Sequence, residues 1–163
     1  MQTPALDAID LQLLARLQQD ASLSNQALAD LVHVSPPTCL RRVKRLWDAG
    51  LIEREIAILD TDTLAQVVGH GLTAVVEITL DRQDQGALQA FEQRVANEDA
   101  VQQCYRVSPG PDFCLVVHAS DMPDYLALTQ RLFTADANVR NVKTFFSLKR
   151  SKFGARLPLP GSV

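Results

Sequence analysis

The sequence predicts an α+β chain: three short helices first, then a ferredoxin-like βαββαβ sandwich. Three observations predict it. Up to about Gly50, apolar residues recur at helical spacing; beyond Gly71, β-branched runs alternate with helical patterns in the order strand, helix, strand, strand, helix, strand. Between the two parts, Gly69-His70-Gly71 interrupts both patterns as a flexible joint.

Asp7 is placed to cap a first helix in which Ile9, Leu13, Leu14 and Leu17 recur at helical spacing, closed by Asp20-Ala21-Ser22. Ser24 caps a shorter second helix whose inward face is Leu28, Leu31 and Val32, and His33-Val34 leads into a turn. Ser35-Pro36 opens a third helix, because the serine oxygen can satisfy a free amide and proline's missing donor costs nothing in the first turn. Cys39 or Leu40, Val43, Leu46 and Trp47 make its buried side, and Gly50 can take the positive φ past its end. Helix, helix, tight turn, helix is a helix-turn-helix unit, assigned to residues 1–53. From Ile52 to Leu59 the chain reads as an apolar strand or linker; the boundary falls between about Asp60 and Gly71, making 54–71 a linker strand and hinge.

In the second part, 72–150, strands are expected at Leu72–Leu80, Val101–Val107, Phe113–Ala119 and Val139–Leu148. Helices run from Gly86 or Ala87 to Ala96 and from Met122 to Phe133, both covering one sheet face. Val75, Val117 and Phe145 supply apolar residues at both strand parities, so the other face needs a cover, and a second subunit is the expected one. Residues 151–163 form a tail, of which Pro158–Val163 reads as disordered.

At 163 residues, 47% apolar and 21% charged, the chain can bury one core or two small ones. No apolar run is long enough to span a membrane, and Met1-Gln2-Thr3-Pro4-Ala5 lacks the features of a secretory signal, so a cytoplasmic protein is expected. Cys39, Cys104 and Cys114 show no zinc-type spacing and read as reduced, mostly buried thiols. A net charge of −3 argues against indiscriminate coating of nucleic acid. The charge is unevenly placed, however: Arg41, Arg42, Lys44 and Arg45 lie within five positions, while Asp81, Asp84, Glu92, Glu98 and Asp99 make the middle acidic.

On the third helix, apolar positions take one side, and Thr38, Arg41, Arg42 and Arg45 spread over the other with Lys44 nearer its edge. A run of cations on a helix is ordinarily a solvated face. This one sits where helix-turn-helix proteins place the helix that enters the major groove of double-stranded DNA. Arginine can donate two bonds to a guanine edge, and cations and helix N-termini hold phosphates. Thr38 and Arg41 or Arg42 are therefore expected near base edges, and Ser35, Lys44 and Arg45 at the backbone.

These residues carry a resemblance to a known family. Leu6-Asp7-Ala8-Ile9-Asp10, Leu23-Ser24-Asn25, Leu28-Ala29, Val34-Ser35-Pro36, Cys39-Leu40-Arg41-Arg42-Val43, Leu46 and Gly50-Leu51-Ile52 resemble the leucine-responsive and asparagine regulator (Lrp/AsnC) family of transcription factors. Val76-Glu77-Ile78, Val107-Ser108, Asp112-Phe113, Asp121-Met122 and Tyr125 extend it over nearly the whole chain. The resemblance implies a DNA-binding domain, a linker strand, and a domain that senses a small molecule, often an amino acid, and assembles into dimers and usually octamers. It implies an effector pocket between dimers involving Ser108, Gly110, Asp112, Met122, Phe145, Phe146 and Ser147. Loop amides would hold a carboxylate, Asp112 an ammonium, and Met122 with the phenylalanines an apolar side chain. The loop departs from the family pattern: Ser108-Pro109-Gly110-Pro111-Asp112 has proline where glycine is usual, which removes a donor. A rigid turn between two strands is the plainer reading of the same residues.

His33, His70 and His118 have no carboxylate at ligand spacing, and neither a phosphate loop nor a nucleophile elbow occurs, so neither metal, cofactor nor catalytic site is expected. Two alternatives stand beside the regulator: a family-like tetrapyrrole decarboxylase, and an effector-binding oligomer without DNA binding. The intact Ser35–Arg45 segment argues against both.

Overall fold

The computed structural model describes residues 5–69 and 71–160; the expectations placed on Met1–Pro4, His70 and the last three tail residues lie outside these. The described chain divides into two units, one formed by 5–58 with 152–160 and the other by Leu59–Ser151.

In the first unit, α1 (Ala8–Leu17) starts at a reciprocal cap. The Asp10 amide donates to the Asp7 carboxylate at 2.9 Å and the Asp7 amide to the Asp10 carboxylate at 3.2 Å, a capping box built from two aspartates. Ser24 caps α2 (Asn25–Leu31) by accepting the Ala27 amide. The tight turn into α3 (Pro36–Asp48) runs through His33 at φ +56°, a left-handed position occupied by a residue with a Cβ. Leu13, Leu28, Ala29, Val32, Cys39 and Leu46 form the core of this unit. Gly50 takes φ +71° and donates to the Trp47 carbonyl, so the predicted stop is where it was expected.

Two local expectations are corrected and one open alternative is settled. Ser35 stands at the N-cap of α3 without a side-chain capping bond; its hydroxyl donates to the Thr38 hydroxyl at 2.9 Å. Pro36 and Pro37 remove the first two amides of the helix, so one usual partner of a capping oxygen does not exist. Leu31, expected inward, is 43% exposed. Between Cys39 and Leu40 the structure chooses Cys39, fully buried, and leaves Leu40 61% exposed.

Residues 53–60 form neither helix nor strand and have no ladder partner among the described residues, so the expected linker strand is corrected to an irregular linker there. A helix follows that the sequence reading missed: α4 (Thr61–Val68), capped by Asp60, whose carboxylate accepts the Thr63 amide at 2.7 Å. Its signal was present in Asp60 and the i, i+3, i+4 spacing of Leu64, Val67 and Val68. Gly69 ends it at φ +97°.

The second unit contains β1 (Leu72–Leu80), α5 (Gln85–Ala96), β2 (Val101–Arg106), β3 (Phe113–Ala119), α6 (Met122–Thr129), a π-helical turn Gln130–Thr134, and β4 (Val139–Phe146). All neighbours are antiparallel in the order β2-β3-β1-β4, the ferredoxin-like arrangement. Ala74, Val76, Ile78 and Leu80 of β1 and Phe113, Leu115, Val117 and Ala119 of β3 face the helices. There they meet Phe91, Val95, Tyr125, Leu128, Leu132 and Phe133, with Phe91 stacked on Phe113 at 4.7 Å between ring centroids.

Both helices of the sandwich pack on this one face, and no other element of the second unit among the described residues joins its core from the opposite side. Val75 and Phe145, which are register partners, lie there with Tyr105, Cys114 and Val116. Val117, named with them from the sequence, belongs to the helix-covered face and is fully buried. Lys143 sits 4.8 Å from the Phe145 ring centroid and 4.0 Å from the Glu77 carboxylate on this open side. Cys39 is buried as expected, whereas Cys104 is exposed, because β2 is an edge strand. The tail is tied down at Leu157, whose amide donates to the Gln18 side-chain oxygen at 2.6 Å and whose carbonyl accepts the Gln18 side-chain amide at 3.3 Å. An extended peptide can satisfy its polar groups on a side-chain amide, which composition does not reveal.

Candidate nucleic-acid interface and effector site

The basic residues of α3 divide into two sets. Asp10, fully buried on α1, faces α3 and binds two of them: Arg42 donates to its carboxylate at 2.9 Å, and Arg45 to its other oxygen. Arg42 also donates to Asp7 at 2.8 Å, so its guanidinium bridges both members of the α1 cap, and its side chain is only 22% exposed. The Arg42 guanidinium and the Asp10 amide together hold the Asp7 carboxyl below its ordinary range, the amide bond being the larger cause. Arg42 is thus turned toward α1 instead of standing on the free face with Arg41, because a buried carboxylate must be paired. The signal that could have found this was Asp10, an acidic residue at a position whose helical neighbours Leu13 and Leu14 are apolar.

Arg41 and Lys44 remain: both are exposed, and neither has a carboxylate partner among the described residues. Arg45 is half exposed despite its bond to Asp10, which leaves part of its donor set available. Thr38 is half-buried and accepts the Ser35 hydroxyl at the N-terminal end of the same helix. The free face of α3 therefore presents one guanidinium and one ammonium, with a third cation at its margin.

The expected effector residues fall at two opposite ends of the β-sheet. At one end, the loop containing Ser108 and Gly110 is closed by the Val107 amide donating to the Asp112 carbonyl at 3.0 Å, with Gly110 at φ +123°. Asp112 accepts the Leu80 amide at 2.7 Å and the Gln83 side-chain amide at 3.2 Å, while its own amide donates to the Ile78 carbonyl. It latches the loop to the end of β1. At the other end, the Ser147 amide donates to the Thr73 carbonyl, and the Phe146 ring meets Tyr125 edge-on at 5.1 Å. Met122, 44% exposed, begins α6. Strand alternation sends Phe145 to the open face and Phe146 to the helix side. Thr73 and Leu80 are seven residues apart on one strand, roughly 20 Å, so one chain does not bring the two sets together.

A cleft of about 550 Å³ lies elsewhere in this unit, lined by residues that include Asp81, Asp84, Arg94, Asp136 and Asn138. Two ion pairs occupy its wall, Arg94 with Asp136 at 2.5 Å and Arg82 with Asp84 at 3.1 Å. No group of three or more metal-ligating side chains occurs among the described residues, and no helix there is long and apolar enough to cross a membrane.

A helix-turn-helix unit with a basic free helix face defines the class as a DNA-binding protein, here one that carries a separate ferredoxin-like sandwich. Residues 6–53 match the family model described as winged helix-turn-helix DNA-binding, and residues 73–157 match the Lrp/AsnC ligand binding domain. The leucine-responsive regulatory protein of Rhizobium meliloti is 35% identical over 147 residues, covering 90% of this chain and 92% of the relative. The DNA-binding transcriptional activator DecR of Escherichia coli is 33% identical over 154 residues, covering 94% and 99%. A transcriptional regulator from Neisseria meningitidis, solved as a complex with L-Met, superposes with a TM-score of 0.83 at 28% identity, covering 96% of this chain and 98% of that one. The chain belongs to the Lrp/AsnC family of DNA-binding transcriptional regulators, not to a family of enzymes.

Proposed function

We propose that this regulator reads DNA as a dimer through paired α3 helices and is modulated by an amino acid or related small molecule held where dimers meet, in octamers built from four of them. In this reading 1–53 is the reader, 54–71 the linker, 72–150 the sensing and assembly domain and 151–163 a tail, in a cytoplasmic protein. Arg41 and Lys44 act directly on DNA, Arg45, Thr38 and Ser35 at its margin, and Arg42 from behind as the group that seats α3 on α1.

The observation that carries the effector half is the separation of its residues. Ser108, Gly110 and Asp112 lie at one end of the sheet and Met122, Phe146 and Ser147 at the other, with Phe145 on the open face. A pocket using both sets closes only where two copies come together. Because Asp112 already accepts two hydrogen bonds in holding the loop, an ammonium there would share its carboxylate with Leu80 and Gln83. Ligand seated across such a junction is coupled to assembly by linkage, since only the assembled state binds it.

The test is a footprint on the DNA upstream of the protein's own gene, titrated with and without a pool of amino acids, with the assembly's mass followed by light scattering. Periodic protection that changes with the pool, together with a change in mass or its concentration dependence, is the expected result. Protection indifferent to the pool would remove the amino-acid effector and leave the reader.

A further inference from the structure

We propose that Leu40 is a specificity-determining residue that reads the C5-methyl group of a thymine in the major groove. The proposal rests on the reading of α3 as the recognition helix. Leu40 is 61% exposed, although every other apolar residue of α3 after its two opening prolines is buried or half-buried: Cys39, Val43, Leu46 and Trp47. It lies in the N-terminal half of the helix, the half that faces base edges in helix-turn-helix readers. Lys44 follows one turn later on the same side, and Arg41 is its immediate neighbour.

The charges around it indicate what covers it. Asp10 draws Arg42 and Arg45 toward α1, leaving Arg41 and Lys44 as the free cations beside Leu40. An aliphatic group flanked by two uncompensated cations suits a polyanion that also offers an apolar patch. The major groove is such a surface: phosphates line its edges and the thymine methyl is its one hydrocarbon group. The Leu40 side chain carries no donor or acceptor, so it discriminates only by apolar contact and exclusion of water.

The experiment begins by selecting preferred duplexes from a random-sequence library with the full-length protein. Each thymine is then replaced in turn by deoxyuridine, which removes the methyl and leaves every hydrogen-bonding group. Wild type should show one position per half-site where the replacement weakens binding about fourfold, the worth of one buried methyl group, and Leu40→Ala should be indifferent there. Selection with Leu40→Gln should move the preference at that step toward adenine, the base an amide side chain pairs with in the major groove. Unfolding curves of both variants should match wild type, because the side chain lies outside the core.

Deoxyuridine penalties equal in wild type and Leu40→Ala, or absent from both, would overturn the role of Leu40 while duplex binding keeps α3 as the reader. A change in oligomeric mass for Leu40→Ala with an unchanged deoxyuridine profile would also overturn it, assigning the residue to a protein contact. The underlying reading fails separately, if Arg41→Ala with Lys44→Ala binds the selected duplex as tightly as wild type.

Discussion

Asp10 and His33 each hold a position that ordinary preferences oppose. Asp10 is fully buried, and its carboxylate is tolerated because Arg42, Arg45 and the Asp7 amide all bond to it. Asp10→Ala leaves Arg42 wedged against α1 with one carboxylate lost, and we expect the first unit to lose about 3 kcal/mol, read by denaturant unfolding. Arg42→Ala should behave likewise, lowering stability before it lowers DNA affinity per folded molecule. His33 occupies the left-handed region in the turn between α2 and α3, where a Cβ is unfavourable. His33→Gly should stabilise the protein by roughly 0.5–1 kcal/mol in the same measurement, since it relieves that strain, partly offset by the freedom glycine has when unfolded. A loss of stability would mean that the imidazole makes a contact worth more than the strain.

At the scale of elements, α3 separates charge that builds from charge that binds. Arg41 and Lys44 have no structural partner among the described residues, so Arg41→Ala and Lys44→Ala should leave the unfolding midpoint in place. Each should reduce the slope of log affinity against log salt by about one, the signature of one lost phosphate contact; at Arg41 a change in sequence preference instead would place the side chain on a base. The junction of linker and sheet depends on a close approach between strands. A Cβ at Gly71 would come within 2.5 Å of the His118 imidazole, which bonds the Thr73 hydroxyl at 3.2 Å. Gly71→Ala should push the His118 ring aside and cost about 1 kcal/mol, the worth of its bond to Thr73, measured by unfolding of the full chain.

For the whole molecule, acid stability follows from carboxylates that accept backbone amides at helix starts. Asp7, Asp84 and Asp124 each have a carboxyl held below the ordinary value of 3.8, in every case chiefly by a backbone amide: those of Asp10, Ala87 and Ser120. A depressed folded-state pKa means the stabilisation is complete above the ordinary value and is lost as pH falls through the folded value. Stability should therefore fall as pH drops below about 3.8, and replacing all three by Asn should make that acid limb shallower. Asp20, whose carboxyl is held low chiefly by the Ser22 hydroxyl, supplies part of what remains. The open sheet face belongs to this scale as well. With Val75 at 37% and Phe145 at 45% exposure, Phe145→Glu should shift the mass in light scattering toward monomer if the second subunit covers this face, because the pair's apolar contact would be replaced by a buried charge. An unchanged mass would place the dimer contact elsewhere.

What the sequence determined by itself was what local chemistry decides. Asp7, Ser24 and Gly50 mark helix ends, and period-two runs mark β1 and β3 at their observed bounds, because caps and alternation involve residues a few positions apart. Strand order followed from the sequence of elements, since the split βαβ units leave few ways to build one sheet. Tertiary structure alone decided which cations of α3 are free. That depends on Asp10, 32 residues away from Arg42, and on the rule that a buried carboxylate must find a partner. It also decided that Leu40 and not Cys39 faces outward, that Asp112 latches a loop to β1, and that the expected effector residues stand at opposite ends of one sheet. Spacing along a chain records which face a side chain takes within its own element; which group waits on the neighbouring element is a property of packing.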